Sequence, residues 1–416
     1  MVERNTGPLQ LVSVGNASLD SYRKPAGGKA LEEVRRLASP LEGARVLHLN
    51  STAYGGGVAE ILRSDIPLMR DIGIHADWMT IAGDDPFFRV TKAFHNALQG
   101  AEYHLTGAAK RAYLDTNSPN TAFSYDDYYY IIVHDPQPAA IRSMYGSSKA
   151  KWVWRCHIDL SDPNPQVWRF LRPYVDAYDA VIFTMAEYAM KDLPPEKVRL
   201  IPPAIDPTTP KNTSLPPKLC ENILSFAGID TRRPLVTQVS RFDPWKDPLG
   251  VVEVYRRVKR QVPEVQLAML GHLAMDDPQG AEMYEATRKA AGSDPDVHMY
   301  TNFTAASSIE VNAFQRSSDV VIQKSIREGF GLVVAEAQWK STAVVAGRVG
   351  GIPMQLRDGS GGYLVDSVDE CADRVLHLLE DPEQAKAMGE RGHRYIRSHY
   401  LTPRLVADEL KLLSSL

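Results

Sequence analysis

Ala44-Arg45-Val46-Leu47-His48-Leu49-Asn50-Ser51 runs straight into Thr52-Ala53-Tyr54-Gly55-Gly56-Gly57-Val58-Ala59-Glu60, and the reading of this stretch decides the fold. Ala44–Ser51 reads as a buried strand, and a helical pattern follows over Ala59–Ile72. A strand, a glycine turn and a helix in that order open a parallel βαβ unit. Three successive glycines let the backbone approach a ligand closely and present its N–H groups. The helix N-terminus adds about half a positive charge at the same place. The turn is neither a G-x-G-x-x-G nucleotide fingerprint nor a Walker loop, which needs G-K-[ST]. Gly56 and Gly57 are therefore candidate ligand contacts, and a tight structural turn is the plainer alternative.

The same rhythm repeats outward. Tyr128–His134, Lys151–His157, Ala180–Thr184 and Val198–Ile201 read as further strands of the first half, with a helix over Pro165–Tyr174. After about residue 230 it restarts. Leu235–Val239, Gln266–Leu270, Val297–Tyr300, Asp319–Gln323, Ala343–Ala346 and Gly362–Val365 are strand candidates. Pro248–Val262, Ala281–Ala291, Ile309–Arg316, Leu332–Trp339 and Val368–Leu379 are the helices between and after them. Two such series predict an α/β protein with two doubly wound domains, and a ligand cleft between them if they face each other. The expected division is 1–205 for the first domain, 206–232 for a linker region and 233–402 for the second domain. A terminal helix over about 403–416 is open to packing back on the first domain. Pro202–Pro217, dense in proline, reads as an extended spacer. The first forty residues are polar and weakly patterned.

Composition narrows the function. The 416 residues are 44% apolar and 24% charged, ordinary for a globular chain, and the net charge of −4 argues against a general nucleic-acid binder. Cys156, Cys220 and Cys371 are odd in number and far apart, which suits neither a disulfide framework nor a metal site and is consistent with a reducing cytoplasm. The start, MVERNTGPLQ, carries no apolar secretory core, and no apolar run approaches a membrane span. The D-x-D at Asp294-Pro295-Asp296 lies between a helix and a strand and reads as a turn rather than a metal clamp.

Three more constellations sit at strand ends. Ser240-Arg241-Phe242-Asp243-Pro244-Trp245-Lys246-Asp247 follows the first strand of the second half; Arg241 offers a planar fork for phosphate oxygens and Lys246 a point charge. Glu328-Gly329-Phe330-Gly331-Leu332-Val333-Val334-Ala335-Glu336 enters a helix, with amides able to face an anion and two carboxylates able to accept hydroxyls. Glu336, flanked by Val333–Ala335, calls for a partner or a ligand. His134-Asp135-Pro136-Gln137 and Arg155-Cys156-His157-Ile158-Asp159 each end a strand of the first half.

Together these elements resemble the retaining GT-B glycosyltransferases (glycosyltransferase family 4 type), which use nucleotide sugars. Glu328 and Glu336 match that group's E-x7-E, and Arg241 and Lys246 match its diphosphate-binding pair. The runs HLNSTAYGGGVAE, VHDPQP, WRCHIDLS and QKSIREGFGL are similar to the trehalose glycosyltransferring synthases, with the retaining trehalose phosphorylases as a related branch. The resemblance implies reversible transfer of glucose from ADP-, UDP- or GDP-glucose to free glucose, giving α,α-trehalose. It implies Arg241, Lys246, Glu328 and His157 as catalytic. It implies Gly56, Gly57, Arg241, Lys246, Asn302, Phe303, Glu328, Gly329, Phe330, Gly331, Leu332 and Glu336 as donor-binding. Asn50, His134, Asp135, Gln137, Arg155 and Asp159 would shape the acceptor side. No cofactor or catalytic metal is implied, Mg2+ being at most a stimulant; the expected partners are small sugars and nucleotide sugars, with no nucleic acid, no membrane and room for a homodimer. One departure stands out. Ser341-Thr342-Ala343 replaces the Gly and Pro that the family shows after the second glutamate's helix.

Overall fold

The computed structural model describes residues 8–271, 278–304, 306–356 and 361–416. The chain divides into two compact units, Met1–Pro203 with Thr402–Leu416, and Ala204–Leu401.

The first unit holds a seven-stranded sheet. Its strands are β1 (Gln10–Leu11), β2 (Arg45–Asn50), β3 (His75–Thr80), β4 (Tyr130–His134), β5 (Lys151–Arg155), β6 (Ala180–Phe183) and β7 (Val198–Leu200). They lie in the order β1-β3-β2-β4-β5-β6-β7, parallel except for β1. The strand order reverses at β2 and β4, so a topological switch point opens beyond Asn50 and His134. Side chains alternate across the sheet. Leu47, Leu49, Ile131, Val133, Trp152, Trp154, Val181 and Phe183 enter one apolar core. His48, His134 and Arg155 occupy the alternate positions, and all three are buried.

The second unit holds six parallel strands: β8 (Leu235–Val239), β9 (Gln266–Gly271), β10 (Val297–Thr301), β11 (Val320–Gln323), β12 (Ala343–Gly347) and β13 (Gly362–Val365). Their order is β10-β9-β8-β11-β12-β13, the doubly wound arrangement of dinucleotide-binding folds. Its switch point lies between β8 and β11, where the Arg241–Lys246 and Glu328–Gly331 segments emerge.

All six strands of the second series were legible in the sequence. In the first series, β3 escaped because His75-Ala-Asp-Trp-Met-Thr80 mixes polar and apolar residues, and β1 is two residues long. The weakly patterned opening contains an amphipathic helix, Gly28–Ala38, that buries Leu31, Val34 and Ala38. Residues 206–232 also differ from a spacer. Pro217–Phe226 is a helix starting on its own proline, and Cys220, Leu224 and Ile229 enter a core of the second unit. Proline density marks a helix start here as well as a break. The terminal helix, Thr402–Ser414, belongs to the first unit, where Arg404 donates to the Pro202 and Pro203 carbonyls.

The 341–343 departure leaves the helix exit intact. Ser341 N–H donates to the Gln338 carbonyl and Thr342 N–H to that of Ala337, the Schellman pattern that ends many helices. Ser341 takes the left-handed position, φ +63°, which glycine fills without cost. Thr342 Oγ1 adds a bond to the Gln315 carbonyl at 2.6 Å. Ser341 is exposed, so Ser341→Gly removes strain and little else. We expect it to raise stability by about 1 kcal/mol in chemical unfolding; a loss would show that the serine side chain outweighs the strain.

Candidate active site

In the second unit, β8 ends in a short 3-10 turn, Pro244–Lys246, that Asp243 caps by accepting from Trp245 N–H. Lys246 Nζ lies 2.6 Å from Glu328 Oε2, both side chains mostly buried. Ser325 Oγ (3.2 Å) and Gln323 Nε2 (3.4 Å) also donate to that oxygen. Arg241 is half exposed and 3.3 Å from Asp243. Asp247, held at φ +48°, caps the following helix through Gly250 N–H and pairs with Lys324. The switch point thus carries three cations against three carboxylates. Arg241 is the most open of them and is able to reach an anion.

Gly331 stands at φ +82° as the N-cap of the Leu332–Trp339 helix. This leaves the first helical amides unpaired within the helix and pointing outward, an anion-binding arrangement. The loop is pinned from behind. Gly351 N–H donates to the Gly329 carbonyl, Gln355 Nε2 to that of Phe330, and the Phe330 ring packs on Tyr400 at 5.2 Å. Asn302 and Phe303 lie in the exposed turn beyond β10, with Phe303 N–H donating to Thr301 Oγ1. Glu336 is fully buried, and Lys211 Nζ meets it at 2.9 Å. The partner that its apolar neighbours demanded is thus an internal lysine, from a segment that sequence reading treated as spacer.

In the first unit, Gly55 and Gly56 take φ +72° and +79°, so the glycine turn needs glycine at both positions. Asn50 is buried between Trp78 Nε1, which donates to its Oδ1 at 2.8 Å, and the Thr52 carbonyl, which accepts from its Nδ2. It fixes the start of the glycine turn. Asp159 Oδ1 accepts from Ser161 N–H and Oγ and shapes the loop after β5. Gln137 is partly buried with Oε1 unpartnered. Arg155 is held from within the first unit. Its alternation along β5 turns it from the ligand end into the interior, where it pairs with Glu409 and donates to the Ile201 carbonyl. The guanidinium is 2% exposed, so its internal partners rather than solvent fix its position.

Three histidines form a row. His48 Nδ1 lies 3.1 Å from His134 Nε2, and His134 Nδ1 lies 2.9 Å from His157 Nε2. Their rings stack at 5.3 and 5.2 Å. Burial and the Arg155 charge hold all three well below the ordinary histidine range, His48 at about 3. They are neutral at pH 7. Asp135, at φ +64°, accepts from His157 N–H at 2.8 Å, and burial pushes its carboxyl up to about 7. A carboxyl raised on folding favours the folded state at low pH and loses that contribution as pH rises through 7. Asp135→Asn keeps the accepting oxygen and tolerates the left-handed backbone. Its melting temperature should match the wild type at pH 4 and exceed it increasingly toward pH 8.5; an equal gap at both would contradict the assignment.

The Asp294-Pro-Asp296 segment is held by basic side chains, Lys259 at 2.7 and 2.9 Å and Arg233 at 2.8 Å from Asp296. Among the described residues no helix is long and apolar enough to cross a membrane.

Two Rossmann-like units, the second with a basic pair and an E-x7-E glycine loop at its switch point, define a GT-B glycosyltransferase. Residues 221–395 match the family model for glycosyl transferases group 1, and residues 48–190 match the model for the N-terminal domain of trehalose synthase. The chain is 50% identical over 413 residues to the trehalose synthase of Rubrobacter xylanophilus, covering 98% of this chain and 99% of that one. It is 46% identical to that of Thermococcus litoralis, covering 95% and 97%. The chain belongs to the trehalose synthase family. Among solved structures, a UDP-forming α,α-trehalose-phosphate synthase from Burkholderia xenovorans shares the fold, with TM-score 0.71 at 16% identity over 90% of this chain and 100% of that one.

Proposed function

We propose that the protein transfers glucose from a nucleoside-diphosphate glucose to free glucose with retention, giving α,α-trehalose. The observation that carries this reading is the Lys246–Glu328 pair beside the Gly329–Leu332 amides. It supplies a cation and oriented N–H groups for a departing diphosphate, together with a carboxylate for the hydroxyls of the transferred sugar. Arg241 supplies the second cation. With two cations facing the diphosphate, the reading asks for no resident metal. Glu336, held by Lys211, would accept the ribose hydroxyls, and the exposed turn at Asn302 and Phe303 would meet the base through backbone. In the first unit, Gly56, Gly57, His134, Asp135 and Gln137 would face the sugars.

No carboxylate is placed as a nucleophile in this reading, so attack comes from the face that the leaving group departs. The departing phosphate takes the proton of the acceptor hydroxyl. The protein's part is to stabilise charge growing on the diphosphate and to hold the two sugars.

Incubation with glucose and, separately, ADP-, UDP- and GDP-glucose tests this. Trehalose and nucleoside diphosphate in equal amounts are expected. Trehalose from glucose 1-phosphate, with none from any nucleotide sugar, would move the protein to the phosphorylases.

A further inference from the structure

The two loops of the second unit's site hang on neighbouring strands and then part. β8 and β11 pair through Val320 and Val321. The helix after β8, Pro248–Lys259, shares a core with Val320 and Ile322, whereas the helix after Gly331, Leu332–Trp339, shares one with Val321. Successive strand residues face opposite sides, so the two helices leave for opposite faces of the sheet. Sheet pairing thus stops short of the place where Lys246 and Glu328 meet, and other contacts must hold the loops together there. Lys324 follows β11 and is 8% exposed, a burial that asks for a counter-charge. Its Nζ meets Asp247 Oδ2, while Asp247 Oδ1 accepts from Gly250 N–H at 3.1 Å and caps the Pro248–Lys259 helix. A Cβ at residue 250 would run into that carboxylate, so glycine leaves it room. Asp247 takes φ +48°, a left-handed position that Asp tolerates better than most residues, and so turns the chain sharply just after Lys246. Gln238 Nε2 holds the Lys246 carbonyl at 2.9 Å, and Ile326 N–H donates to the Trp245 carbonyl at 2.9 Å. Residues on both sides of Lys246 are therefore tied to the loop that carries Glu328.

We propose that the Lys324–Asp247 pair is a latch across the switch point that sets Lys246 against Glu328. Lys324 and Asp247 are then positioning residues, and each acts through Lys246. The Lys324 charge is matched inside the unit by Asp247, whereas Arg241 is half exposed and open to an anion. Breaking the latch leaves both loops on their strands but frees the Lys246 turn to move against the Glu328 loop. The consequence for turnover rests on the proposed function; the tie between the loops does not.

Two single variants of the full chain break the latch from either side. Lys324→Met keeps an unbranched apolar stem and leaves Asp247 capping its helix; Asp247→Asn keeps the cap and the left-handed backbone but removes the charge. Each should lower kcat for trehalose formation by about tenfold to a hundredfold, the scale of a catalytic group misplaced by about an ångström. KM for glucose should stay within about twofold. Lys324→Arg restores the charge and should recover most of the rate. Lys324→Met combined with Asp247→Asn should lose no more than either alone, because the two act as one pair. In a Lys246→Ala background, Lys324→Met should change kcat by less than about threefold, since the residue it positions is gone. A loss of full size in that background would mean that Lys324 acts on the ligand by its own charge, and would overturn the proposal. So would a Lys324→Met enzyme at the wild-type rate. Hydrogen exchange reads the latch with no substrate present. The Ile326 amide should exchange about tenfold faster in both single variants, and unchanged protection there would also overturn the proposal. If the wild type makes no trehalose from any nucleotide sugar, the reading of the function fails, while the exchange rates still decide the latch.

Discussion

Lys246→Ala should lower kcat by about a hundredfold to a thousandfold while the protein stays folded. Removing one preorganised donor from a site of growing negative charge costs about 2.7–4 kcal/mol. In the proposed reaction Lys246 is such a donor. The 3-10 turn after β8 presents it, and Glu328, itself held by Ser325 and Gln323, fixes its position before any ligand arrives. The loss should appear in kcat more than in KM, since the charge that Lys246 meets grows in the transition state. Lys246→Arg restores the charge without the point geometry and should recover only part of the rate. A change below threefold in the alanine variant would contradict the role.

Arg155→Met should lower the melting temperature of the first unit by on the order of 10 °C. Breaking a buried ion pair from one side strands the other charge, at a cost of about 3–5 kcal/mol, and a unit of this size moves by about 2–4 °C per kcal/mol. Arg155 and Glu409 are 2% and 1% exposed, so water cannot repair the loss. Removing both charges in Arg155→Met with Glu409→Leu should return most of the stability, because well-packed apolar replacements of buried pairs are often neutral or better. This pair of variants separates the two readings of the residue. A stable Arg155→Met enzyme that has lost activity through KM would restore Arg155 to the acceptor side.

That residue shows where sequence reading stops. Strand ends and glycine turns are local patterns, so Ser240–Asp247, Glu328–Glu336 and Gly55–Gly57 could be found from spacing alone, and both units follow from the repeated strand–helix rhythm. The partner of Arg155 lies 254 positions away in the terminal helix, and that of Glu336 in a proline-rich stretch. No local pattern announces either. Side-chain alternation was a usable signal, since Arg155 shares the parity of Val153 and not of Trp154, but which face carries the ligand depends on the sheet. His48 was visible as a polar residue in a buried strand; the row it begins appears only once β2, β4 and β5 lie side by side.

Retained transfer between the two sugars is the centre of the account, and the carbon that migrates can be followed directly. With nucleoside-diphosphate glucose labelled with 13C at C1 and unlabelled glucose, NMR should show the label in the α-linked anomeric carbon of trehalose from the first turnover, in step with released nucleoside diphosphate. Label in a β-linked disaccharide, or in free glucose with no disaccharide, would contradict it.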